Sequence, residues 1–150
     1  MSWLRIPLAV LLLSALAVAS NPEESLDALK TRAESARPQD QAHLFATIAH
    51  REVREADRFY TEGDVTNATK AVDDVVRYAA HAAEAAQKSG KHLKDTEILL
   101  RQTARRLDDV RKTLSFEDRP YVEAAVKQVE KLRQKLLEQM FGVSSKESKK

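Results

Sequence analysis

The spacing of apolar residues constrains this chain more than any other feature. From Asp40 to Phe141 they recur at three- and four-residue steps with hardly a break, the period of helices that each turn one face to a core. The clearest stretch is Val65, Ala68, Val72, Val75, Ala79, Ala82 and Ala86, a seam without a gap that Val76 and Ala83 widen. With only 3 Gly and 4 Pro, and with 43% hydrophobic and 32% charged residues, turn formers and strand formers are both scarce. That balance suits long helices with charged outer faces.

Four stretches of similar length follow from the pattern. The first runs from about Asp40 to Glu62, with Phe45, Ile48, Ala49, Val53, Ala56, Phe59 and Tyr60 on one face. Gly63 supplies a left-handed position that ends it, and Asp64 is an N-cap for the next, Val65 to Lys88. Ser89-Gly90 closes the second. The third spans Lys91 to Leu114 on a seam of Leu93, Leu100, Ala104, Leu107, Val110 and Leu114. Ser115-Phe-Glu-Asp118 has the form of a cap, Pro120 suits a first turn, and the fourth runs from Arg119 to Phe141 before Gly142. At 1.5 Å per residue each rod is about 35 Å long. Short connections predict antiparallel neighbours, hence an all-α, antiparallel up-down four-helix bundle over residues 39–142. Charges four apart (Arg51/Glu55, Asp73/Arg77, Asp108/Lys112, Glu123/Lys127) are expected on its outer faces.

The ends read differently. Met1 to Arg5 carries one positive charge, the uncharged stretch Ile6 to Ala19 follows, and Ala17-Val18-Ala19 has the small-x-small form that a signal peptidase accepts. About 14 apolar residues are short of the roughly 20 that span a bilayer. Residues 1–19 are therefore expected to be a cleaved signal peptide, which places the chain in a periplasm or outside the cell; membrane attachment is expected only if cleavage fails. Residues 20–38 form a polar arm with a short helix (Leu26, Leu29, Ala33, Ala36), ended before Pro38, and 143–150 form a polar, basic tail expected to be disordered.

Around the first turn the residues read Ala56-x-x-Phe59-Tyr60-x-x-Gly63-Asp64-x-x-x-Ala68-x-x-x-Val72. This resembles the centre of a tetratricopeptide repeat, with a small residue and an aromatic on the first helix, Gly-Asp at the turn and Ala opening the second. The resemblance covers about residues 49–80. It implies a tightly packed helical hairpin; no second copy follows at the family's 34-residue period and no proline ends the second helix, so it does not imply the family's peptide groove.

Composition excludes several chemistries. Without Cys there is no disulfide, thiol catalysis, thiolate metal site or attached haem. The charge of +2, which falls to +1 once Arg5 leaves with the leader, and the lack of aromatics among the bases argue against nucleic acid. His43, His50, His81 and His92 lack the paired Glu-x-x-His pattern of a di-iron bundle. The acidic pairs Glu52/Glu55, Asp73/Asp74 and Asp108/Asp109 each have Lys or Arg a turn away, as a solvated face does. No catalytic residue, cofactor or metal is expected.

Two surfaces remain. Ile98 and Leu99 beside Leu100, and Leu137 and Phe141 beside Leu136 and Met140, offer more apolar area than one seam hides. Either the arm covers them through Leu26 and Leu29, or they face a protein partner or a second copy. The second surface is the basic set Lys88, Lys91, Lys94, Arg101 and Arg105, with His92, Arg106 and Lys112 nearby. Asp108, Asp109 and acids of neighbouring helices are expected to neutralise it; left free, it would bind an anionic small ligand or an envelope surface. The leading expectation is a non-enzymatic exported interaction or structural protein, with the anion binder as the alternative.

Overall fold

The structure, a computed structural model, describes residues 23–142; the segments expected to be a signal peptide and a disordered basic tail lie outside the described residues. Five helices and no strand occur among the described residues: α1 (Leu26–Ser35), α2 (Pro38–Thr61), α3 (Val65–Ser89), α4 (Leu93–Thr113) and α5 (Arg119–Phe141). Their ends follow the local chemistry. Asp64 caps α3 by accepting from the Asn67 N–H at 3.1 Å, and Gly63 at φ +78° takes the left-handed turn before it. Pro120 lies in the first turn of α5 as anticipated. Ser115 is not its cap: the Ser115 hydroxyl donates to Asp118 (2.9 Å), and Asp118 stands at the N-cap position without a side-chain cap bond. α4 starts at Leu93 instead of Lys91, because both Gly90 and His92 adopt left-handed backbone (φ +63° and +59°) and break the chain there.

The core is built from small side chains, as the seams require. Ala46, Ala49, Val53, Val75, Ala79, Leu100, Leu107, Val122, Val129 and Leu136 are fully buried. Four polar residues join them: Glu52, Thr96, Glu97 and Thr103. Thr103 is satisfied by donating to Leu99 O at 2.7 Å, and its oxygen lies 3.3 Å from His50 Nδ1. Among the described residues, the buried ones run from Leu29 to Leu136.

The helices pair as two antiparallel hairpins, α2/α3 and α4/α5, laid side by side. α3 and α5 run parallel, joined by the Tyr121 hydroxyl donating to Asp73 near one end and Gln139 Nε2 donating to Gln87 O (3.3 Å) near the other. α2 and α4 are also parallel: His43 and His92 share a cleft at their N-terminal ends and His50 meets Thr103 farther along. α3 touches α4 across the middle, and α2 does not touch α5. An up-down ring would instead set α5 against α2 with antiparallel neighbours throughout. The short turns dictate the direction of each successive helix, but not the flank on which the second hairpin docks.

The arm is part of this packing. Leu29 and Ala33 are buried against α2, the one helix that α1 packs along, so Leu26 and Leu29 do not cover Ile98, Leu99 or the end of α5. α1 is also fastened electrostatically. Lys30 Nζ lies 2.6 Å from Glu52 Oε1 on α2, an ionic contact without hydrogen-bond alignment. It donates to Asp74 Oδ2 on α3 at 3.2 Å and sits over the Tyr78 ring. Glu52, read from sequence as part of a solvated acidic pair, is therefore an interior anion, because α1 folds over it.

Candidate functional site: a cationic face on α4

Lys94, Ile98, Arg101 and Arg105 are spaced four, three and four residues apart, which puts them on one stripe of α4. The stripe faces solvent: Lys94 and Arg105 are exposed, and Arg101 and Ile98 half-buried. Lys91 extends it by one turn beyond the helix start. From Lys94 to Arg105 the row is about 16 Å long at the helical rise.

Ion pairing sets this face apart. On the other helices most cations have acids at hand, as Arg32 with Glu24, Arg58 with Glu55, Arg77 with Asp74 and Lys127 with Glu123, all within 2.6–2.8 Å; on α5, Lys131 and Lys135 form no ion pair among the described residues. Asp108 and Asp109, expected to neutralise the α4 set, are engaged by Arg111 and Lys112 at 2.8–3.0 Å. Between Lys88 and Arg106 six Lys and Arg meet two carboxylates. Glu97 is buried and held by Arg133 Nε at 2.6 Å, while Asp95 is 3.6 Å from His92 Nδ1. Lys88 pairs with Glu84 at 2.6 Å and so leaves the set. Lys91, Lys94, Arg101, Arg105 and Arg106 form no ion pair among the described residues. Two of these, Lys91 and Lys94, also stand at the positive end of the helix dipole, where cations are unfavourable.

The apolar surface is smaller than its sequence suggests. Ile98, Leu99 and Leu137 are half-buried, and only Phe141, 74% exposed, stands clear. The α4/α5 register, set by the Arg133–Glu97 pair, brings Leu137 level with Lys94 and Phe141 level with the turn before α4. The two surfaces therefore merge: an exposed Phe and two partly covered apolar side chains lie beside the row of cations. Sequence reading found both sets but could not join them, because the register between α4 and α5 rests on a buried ion pair.

The histidines do not converge. His81 stacks near Phe45 with ring centroids 5.4 Å apart. His43 and His92 line an open cleft of about 520 Å³ with Arg32, Arg37 and Asp40, in which Arg37 and Asp40 pair at 2.8 Å. His50 is held below the usual histidine range by burial, with Arg106 and Arg54 adding to the effect. Among the described residues no three His, Asp or Glu side chains are grouped to hold a metal ion, and no helix is long and apolar enough to cross a membrane. No family model, curated protein or solved structure matches the chain.

Proposed function

We propose that this chain is a non-enzymatic interaction module, exported through its leader to a periplasm or to the outside, that meets an anionic partner with the outer face of α4. One observation carries this reading: Lys91, Lys94, Arg101 and Arg105 form no ion pair among the described residues, in a protein whose other helices pair most of their cations. Free like charges along one helix face weaken the fold slightly; their use is in complementing negative charge elsewhere, where they raise encounter rate and specificity. Ile98, Leu137 and Phe141 supply the apolar part of the same surface, where a protein partner or a second copy would otherwise dock.

The test is retention on immobilised polyglutamate as salt is raised from about 0.05 to 0.5 M, a range over which screening shortens from well beyond 10 Å to a few ångströms. Retention lost with salt, and lost in Arg101→Gln/Arg105→Gln, is the expected result. Retention insensitive to both salt and substitution rejects the proposal.

A further inference from the structure

We infer that the face made by the first two-thirds of α4 and the end of α5 docks on an anionic phospholipid surface; this rests on the proposal above and names its partner. Three observations select a lipid surface over a folded acidic protein. The cations are strung along about 16 Å of one exposed helix face, not gathered around a pocket: the cleft beside the start of α4, lined by His43 and His92, has its Arg37 already paired with Asp40. Headgroup attraction requires only proximity and charge, which such a row provides. Next, the one strongly exposed aromatic at this end, Phe141, ends α5 beside the lysines of the α3–α4 turn. An aromatic next to cations is the combination that interfacial binders use, with the ring entering the acyl boundary and the amines remaining among phosphates. Ile98, half-buried in the middle of the cationic stripe, adds apolar area at the same level.

The acids on this surface are few, and two of them are held by cations. Glu130 is held by Arg133 at 2.6 Å and Glu123 by Lys127 at 2.8 Å; Asp95 faces His92, and Glu138 is exposed on the last turns of α5. The face therefore presents net positive charge around a small apolar centre.

The experiment is vesicle flotation of the chain from residue 20 onward, which contains every buried residue of the core. Vesicles are phosphatidylcholine alone or phosphatidylcholine with about 30% phosphatidylglycerol, enough to give a negative surface potential. The chain is expected to float with the anionic vesicles and to remain in solution with the neutral ones. Lys94→Gln/Arg101→Gln/Arg105→Gln is expected to weaken binding about a hundredfold, roughly fivefold per cation near an anionic surface. Phe141→Ser is expected to weaken it about tenfold through lost apolar insertion. Arg101→Lys/Arg105→Lys is expected to bind as the parent does, since charge and not guanidinium geometry is read; this variant also guards against misfolding as the cause of loss. Equal flotation with both vesicle types, or loss in the Lys variant, overturns the inference. Retention on polyglutamate without flotation on either vesicle overturns the lipid assignment and leaves the anionic-partner reading standing; failure on both removes both.

Discussion

Replacing Lys30 with Met isolates the contact that fastens α1 to the two helices behind it. Lys30 Nζ is 2.6 Å from Glu52 Oε1 and 3.2 Å from Asp74 Oδ2, and Glu52 is only 4% exposed. Without the ammonium, the buried Glu52 carboxyl loses its counter-charge and keeps the repulsion of Asp74 and Glu55. Breaking a fully buried ion pair costs about 3–5 kcal/mol. Here the Lys30 side chain is 22% exposed and Arg77 still holds Asp74 at 2.6 Å, so screening brings the expected loss down to about 2 kcal/mol. For a domain of this size that lowers Tm by about 6–10 °C. The pH dependence has a defined sign. Burial holds the Glu52 carboxyl above its ordinary range even with Lys30 beside it, and Lys30→Met raises it further. A carboxyl raised in the folded state favours folding when protonated, so the variant should regain stability as pH falls from 7 toward 4.5 and lose it as pH rises through that window. Urea denaturation at pH 7 and 5, run also on Lys30→Met/Glu52→Leu, measures the coupling. The double variant should recover most of the loss. A single-variant loss under about 0.5 kcal/mol, with no coupling, would show that Leu29 and Ala33 alone hold α1.

Other perturbations test the packing. Leu107→Ala, at a fully buried position, should cost about 2–5 kcal/mol in urea denaturation; a cost under 1 kcal/mol would mean that the α4 seam is not packed. Gly63→Ala places a Cβ at φ +78° with no atom nearby to clash, so the expected loss of about 1–2 kcal/mol comes from backbone strain alone. His50, lowered by burial and by Arg106 and Arg54, takes up a proton more readily in the unfolded chain. Its contribution is therefore present above about pH 6.5 and lost as pH falls below it; in His50→Gln that part of the acid destabilisation, followed by thermal melts from pH 7 to 5, should vanish.

The periodic seams made the helices legible: the ends of α2, α3 and α5 lie within two residues of the sequence expectation, since Pro38, Gly63, Gly90 and Gly142 mark them locally. The start of α4 falls two residues after Lys91, because nothing in sequence announces a left-handed histidine at position 92. Of the four charge pairs expected on outer faces, Asp108–Lys112 and Glu123–Lys127 form. Arg51 and Arg77 turn to Glu23 and Asp74, and Asp73 is taken by Tyr121 on α5. Those choices depend on which helix lies alongside, a tertiary fact that i,i+4 spacing does not contain. The candidate surface divides the same way. Its cations could be read along one helix, whereas their freedom from acids and their place beside Phe141 required the α4/α5 register.

The central claim is that the α4 cations serve binding and not folding, and thermal unfolding of Lys94→Gln/Arg101→Gln/Arg105→Gln tests it most directly. Relief of like-charge repulsion and of an unfavourable dipole end predicts a Tm equal to the parent's or a few degrees higher. A Tm lowered by several degrees would show that these side chains are held by acids of the protein itself, and would contradict the account.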